Sequence, residues 1–433
     1  MDLRMPPTDL PMTKPCGCPH EAPTGVSRRM FLKGAGTAVL AGLMSEGLST
    51  RVAFAGTPYN GDVLVVLSLR GGFDGVNAIV PIGDADYAPL RPNIAIPQNA
   101  AIQLDSLFGM HPAMASLKPF YDAGTFGAVH AVGMVQPNRS HFDAMEEMER
   151  AAPGSSTRTG WLDRVLGLRD TTTAFQGTQM GSGMPASAFL GPSPELSMWS
   201  VDSFGLDAAW DDTERLRWDA ALRGLQTGAP AALSQPALGA LDAMATTATL
   251  KANGYVPANG AVYPDTDLGN AMKDVARLIK ADVGLQVAAV DYGDWDMHAG
   301  MGTADAGWMH DHLTELSDTL AAFATDLGTQ LNDVTLVTLT EFGRCVGENG
   351  SGGVDHGFGQ AVLLLGGGVV GGKVHGTWPT LAPDALIDND LNATTEYRTL
   401  LAEILEKRCG TGSVSDVFPG ISSDRLGIVT PRA

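Results

Sequence analysis

Cysteine is scarce in this chain of 433 residues, with four in all, and a scaffold stapled by disulfides needs a higher density. Positive charge is also in short supply. Lys and Arg number 28 against 48 Asp and Glu, a formal net charge of -20. That balance disfavours nucleic acid and anionic membrane surfaces, both of which are met with a basic face. Apolar runs of about 18 residues, the signature of a membrane-spanning helix, are missing. Apolar side chains nevertheless make up 44% of the chain, too many for intrinsic disorder. The expectation is a soluble globular protein, one large domain with insertions or two ordinary ones, with a sizeable core.

An address label precedes the fold. Ser27-Arg28-Arg29-Met30-Phe31-Leu32-Lys33 matches the twin-arginine export signal, and a moderately apolar stretch runs from Gly34 to Met44. Ala53-Phe54-Ala55 then offers the small-x-small pattern that a signal peptidase reads. A helix over that stretch is too short for a bilayer core of about 30 Å, so it reads as the apolar part of a signal rather than an anchor. Cleavage is expected after Ala55, with the twin-arginine translocation machinery as a partner and the periplasm, cell wall or medium as destination. Cys16 and Cys18 would leave with the signal. Cys345 and Cys409 remain, and in an oxidising compartment the two could pair.

The remaining chain alternates strand and helix patterns. Asp62 to Leu69 is a nearly unbroken run of Val and Leu, as expected for a strand buried on both faces of a parallel sheet. Similar runs lie at Phe126 to Val132, Leu285 to Val290, Val334 to Leu339 and Ala361 to Leu365. Helical periodicity marks His111 to Ala123, Ser140 to Arg150, Thr266 to Lys280, Ala304 to Leu327 and Thr394 to Arg408, with Gly410 at a helix stop. The order predicts an α/β layered fold with a mostly parallel sheet. Residues 153–262 carry weak strand signals and an Ala/Pro-rich tract, and read as a cap or insertion.

Ligands of open α/β sheets bind at the carboxyl ends of the strands, and the polar motifs of this chain fall there. After the first strand, Asp74 and Asn77 either project oxygen ligands or belong to a structural Gly-rich turn. Ser140, before a helix, is either a nucleophile or oxyanion seat, or an N-cap. The segment Asp291 to His298, with two or three carboxylates and an imidazole within eight residues, either has the composition of a metal site of zinc type or is a hydrogen-bonded turn with a satisfied His. His310 and His312 read as solvated or supporting residues. After the Val334 strand come Glu341 and Arg344, then a Gly-rich loop able to deliver His356. Arg344 is either an anion clamp or the partner of Glu341. Gly366 to Gly371 fits G-x-G-x-x-G but runs into a turn-rich stretch ending at Pro379, which argues against a nucleotide fold.

The ordered set LRGGFDGVN, YAPLRPNIAI, NRSHFDAMEEME, GWLDR, GDWDMHAG, TEFGR, GVDHGFG and GGGVVGGKVHGTWP resembles an exported bacterial family known as domain of unknown function fifteen hundred and one. That resemblance implies an alkaline-phosphatase-like α/β sandwich, with a mostly parallel central sheet flanked by helices. It further implies a metal position made of Asp294, His298 and His356, with Ser140 at the nucleophile's place. A second position is thinner: Asp74 comes a few residues late, and Glu341 is followed by Phe342, which cannot bind a metal.

These readings lead to an exported metal-dependent hydrolase-like protein acting on small anionic phosphate or sulfate esters, with zinc the expected cofactor. Asp74, Glu341 and Arg344 would shape the anion pocket. The competing expectation is a degenerate exported binding or assembly protein that keeps the fold, and perhaps a structural metal, and acts with an exported partner.

Overall fold

The computed structural model describes residues 59–169, 173–206 and 211–432, all within the compact unit Met44–Ala433. The twin-arginine motif, the apolar stretch after it and the expected cleavage site lie outside the described residues. Among those residues, no helix is long and apolar enough to cross a membrane.

The strands are β1 Val63–Leu69, β2 Ile79–Val80, β3 Ile102–Gln103, β4 Gly109–Met110, β5 Phe126–Gly133, β6 Gly177–Met180, β7 Leu196–Met198, β8 Val287–Tyr292, β9 Val334–Leu339, β10 Gln360–Gly366, β11 Val374–His375 and β12 Thr395–Glu396. Nine of them form one sheet in the order β11-β5-β10-β9-β1-β8-β6-β7, with β12 also on β5. The block β9-β1-β8-β6-β7 is parallel throughout. Only β10 runs against its neighbours, β9 and β5. A separate three-stranded sheet has the order β2-β4-β3.

Burial on both faces explains the unbroken apolar runs. Along β1, Val65, Leu67 and Leu69 join one core cluster while Leu64 and Val66 join another, as the two-residue period of a strand requires. The first cluster takes in the helices Asp267–Lys280 and Trp308–Leu327. The second takes in His141–Arg150, Trp161–Gly167 and Tyr397–Lys407. The α/β architecture expected from the sequence, a mostly parallel sheet between helices, is therefore present.

Residues 153–262 are divided between two roles. Their strands β6 and β7 extend the parallel edge of the main sheet beyond β8, while Asp212–Leu225 and Ala231–Asn253 are helices that follow them. The sequence Gly-Thr-Gln-Met of β6 buries Thr178 and Gln179 completely, so hydropathy did not mark it as a sheet strand. Gly366 to Gly371 is followed by the bridge strand β11 rather than a helix, in line with the rejected nucleotide motif. Cys345 and Cys409 are both free, and the Cys345 thiol donates to Asp390 Oδ1 at 3.1 Å.

Topology brings distant loops to one edge. Because β8, β1 and β9 are parallel neighbours, the segments after Tyr292, Leu69 and Leu339 emerge together. β10 is antiparallel, so its beginning lies at that same edge, with Gln360 opposite Val132 of β5. The loop before β10 and the segment after β5 complete the group.

Candidate metal centre

Four side chains meet there. The Nε2 atom of His356 lies 3.0 Å from His141 Nε2, 2.9 Å from His298 Nε2 and 3.2 Å from Asp296 Oδ1. Asp296 Oδ1 is in turn 3.1 Å from His298 Nε2 and 3.5 Å from His141 Nε2. Donors about 2.0–2.1 Å from a shared tetrahedral zinc ion would stand about 3.3 Å from one another, and the three separations among His141, Asp296 and His356, 3.0, 3.2 and 3.5 Å, bracket that value.

The other ring nitrogens decide what the Nε2 atoms can do. His141 Nδ1 lies 2.7 Å from Glu341 Oε1, an atom that also accepts from the Gly71 amide at 2.8 Å. His298 Nδ1 lies 2.8 Å from Asp355 Oδ1. His356 Nδ1 lies 2.9 Å from the main-chain carbonyl of Arg139. All three partners are acceptors, so each Nδ1 carries a proton, and a ring with a single proton turns the lone pair on Nε2 toward Asp296. Three lone pairs and a carboxylate oxygen crowded together repel one another unless a cation or added protons lie between them. Such a donor set with its outer support could hold a divalent metal ion. Among the described residues, His141, Asp296 and His356 form a group whose ligand atoms all lie within 4.8 Å of one another and could hold an ion; His298 adjoins His356 and Asp296 but stands outside that group.

Electrostatics follow the geometry. Burial alone would raise Asp296, but the hydrogen bond and charge of Arg344, with His298 and His356, hold it below the usual carboxylate range. The His298 hydrogen bond, followed by that of Asn349, lowers Asp355. Burial lowers His356 and keeps it neutral, as a ligand must be.

Local sequence explains how each residue is presented. His141 is the first residue of the helix His141–Arg150, whose N-cap is Ser140. Asp296 and His298 sit on a segment folded by two i to i+2 hydrogen bonds, Met297 N to Trp295 O and His298 N to Asp296 O. There the buried Trp295 and Met297 alternate with the two site residues. Gly71, at φ +113°, lets this segment come close: a Cβ there would stand 2.7 Å from the Asp296 amide. Gly353 does the same for the loop that brings His356, since its Cβ would meet the His298 carbonyl carbon at 2.4 Å.

The residues expected from the sequence divide. His298 and His356 come together as expected, whereas Asp294 does not join them. It stands in the left-handed region at φ 64°, and its charge acts on Tyr292 and His312. Asp296 occupies the place expected for it. Asp74 is no ligand either: its carboxylate is held by the fully buried Arg91 through contacts of 2.5 and 3.0 Å. Glu341 is near the site but works on His141. Arg344 is not an anion clamp and does not pair with Glu341. Its buried guanidinium donates to the carbonyls of Gly72, Val354, Trp295 and Gly71, with Asp296 Oδ1 at 2.6 Å. Ser140 Oγ accepts from the Asp143 amide at 3.5 Å, as an N-cap. Phe342 packs against the rings of His141 and His356, with centroids 4.8 and 4.7 Å away.

Sequence reasoning missed His141 and Asp296. The signal for Asp296 was its spacing, two residues from His298 in a segment leaving a strand, which places both on one side. His141 was masked by Ser140, the better-known type of helix-start residue.

Residues 124–407 match the family model described as Protein of unknown function (DUF1501), and the chain belongs to that family. No curated protein matches it. Among solved structures, the C-terminal periplasmic domain of EcEptC from Escherichia coli is similar at 10% identity, over 88% of this chain and 95% of that one, with a TM-score of 0.30. The phosphonate monoester hydrolase of Agrobacterium radiobacter is similar at 10% identity, over 83% and 78%, with a TM-score of 0.28.

Proposed function

We propose that this DUF1501 family member is an exported, metal-dependent hydrolase-like protein that holds one divalent ion, zinc by preference, through His141, Asp296, His298 and His356, and acts on phosphate or sulfate esters. The observation that supports the reading is the set of three Nε2 lone pairs aimed at one carboxylate, each fixed by an acceptor behind its ring. A bound divalent ion would supply Lewis acidity toward an ester oxygen. Glu341, Asp355 and the Arg139 carbonyl orient the rings, and Arg344 orients Asp296. Ser140, exposed beside His141 at a helix start, is the chain's candidate nucleophile or oxyanion seat.

Elemental analysis of the purified mature protein, together with a panel of ester substrates, tests this. One equivalent of metal is expected in the wild type, and next to none in His356→Ala and His141→Ala. An unchanged ratio in both variants would remove the site.

A second reading has its own support. Phe342 stands where a second metal position would need a ligand, and Arg344 is buried against main-chain carbonyls and Asp296 rather than open to an anion. On that basis the protein is a degenerate exported binding or assembly protein with a structural metal. It would then turn over no ester, and chelation would lower the melting temperature alone.

A further inference from the structure

Three groups stand behind the histidine rings of the metal centre, and they are not held alike. Glu341 is buried, with 1% of its side chain exposed, and the Arg139 carbonyl belongs to the main chain. Asp355, behind His298, has 59% of its side chain exposed. A carboxylate at the surface keeps rotamer freedom and is screened by water, so its pair with an imidazole fixes little by itself. Whatever orients His298 must therefore hold Asp355 as well.

Asn349 is placed to do so. Its Nδ2 donates to Asp355 Oδ1 at 3.0 Å, the same oxygen that faces His298 Nδ1 at 2.8 Å. It also donates to the main-chain carbonyl of His298 at 2.8 Å, one hydrogen of the amide serving each acceptor. Asn349, Asp355 and His298 thus close a circuit of hydrogen bonds that begins at the imidazole and returns to the backbone of the same residue. The other end of the amide is used locally. Its Oδ1 accepts from the Ser351 amide at 2.9 Å and the Gly353 amide at 3.2 Å, which makes an Asx turn. Main-chain bonds from Gly300 to Ser351, Met301 to Gly352 and Val354 to Met297 strap that turn to the His298 segment. Asp has the size for position 349 but lacks the donor, and Ser offers one hydroxyl where the site uses two donors and an acceptor.

We propose that Asn349 is a positioning residue of the metal centre, which acts through Asp355 to hold the His298 ring in its ligating orientation. The inference rests on the metal-centre reading above and adds to it a residue outside the donors and the groups that touch them.

Zinc affinity of the mature protein, measured by chelator competition, tests this with two variants that separate the donor from the turn. Asn349→Asp keeps the acceptor for Ser351 and Gly353 and removes the donor to Asp355. Asn349→Ser adds no charge, keeps a weaker turn and also leaves Asp355 without its donor. Both are expected to lose about 10- to 100-fold in zinc affinity. In an Asp355→Ala background the same two changes are expected to cost less than about twofold, because the route to His298 is already gone. The visible spectrum of the cobalt-loaded protein, which reports ligand geometry, is expected to change in Asn349→Ser and to match that of Asp355→Ala. Wild-type affinity in both single variants, an equal loss with and without the Asp355 side chain, or an unaltered cobalt spectrum overturns the assignment and leaves the metal reading standing. Wild-type protein that takes up no zinc overturns the metal reading and this inference together.

Discussion

His141 and Glu341, separated by 200 positions in the chain, meet at 2.7 Å through Nδ1 and Oε1. Glu341 is buried and takes a second hydrogen bond from the Gly71 amide on the same oxygen. It therefore fixes which nitrogen of His141 carries the proton. A carboxylate behind a ligating imidazole raises its basicity, and losing such support typically weakens metal affinity 10–100-fold.

Glu341→Gln keeps the shape and the acceptor but removes the charge. Zinc affinity measured by chelator competition should fall by about 10- to 100-fold, with the circular dichroism of the folded protein unchanged. Wild-type affinity in this variant would mean that Glu341 is only a structural partner of Gly71.

Asp294 and Asp296 provide a sharper comparison, since two residues separate opposite expectations. Asp296→Ala should lose the ion, while Asp294→Ala should retain a full equivalent by elemental analysis. The reverse pattern would restore the ligand set expected from the sequence.

Asp74 and Arg91 form a buried ion pair apart from the donors of the metal centre. Asp74→Ala leaves the Arg91 charge unpaired in the interior, which costs about 3–5 kcal/mol. Denaturant unfolding should register that loss, and the folded fraction should bind zinc as before. Loss of metal without loss of stability would instead place Asp74 among the ligands.

Stability should also depend on pH through His130. Burial lowers its pKa to about 4, and both nitrogens serve the neutral ring, one toward the Ile79 carbonyl and the other accepting from the Ala131 amide. The unfolded chain, with an ordinary histidine near 6.5, binds a proton in the window between about 4 and 6.5 that the folded chain refuses. Stability is thus fully present above 6.5 and falls with pH across that window, by roughly 1.4 kcal/mol per pH unit for this residue. Unfolding of metal-free protein from pH 7 to pH 4 measures the slope. His130→Gln should flatten it, and an unaltered slope would assign the acid sensitivity to other groups, His111 among them.

Much of the fold was legible because its signals are local. The runs at Val63–Leu69, Val334–Leu339 and Gln360–Gly366 are apolar on both faces, and burial between two helical layers requires that. Thr266 and Ser140 cap their helices through side-chain oxygens, as their chemistry predicts. β6 was not legible, since Thr178 and Gln179 become core residues only through the neighbours that cover them.

The sequence by itself determined the layered α/β plan and the clustering of polar motifs at strand ends, and it pointed to His298 and His356, whose rings do approach each other. Only the tertiary structure chose Asp296 over Asp294, added His141, and turned Glu341 and Arg344 from pocket groups into supports. The reason is that a strand pattern needs only its own residues to be recognised. Which carboxylate faces an imidazole depends on a left-handed residue at 294, on a glycine that allows close approach at 71, and on an antiparallel strand that returns a late loop to the same edge.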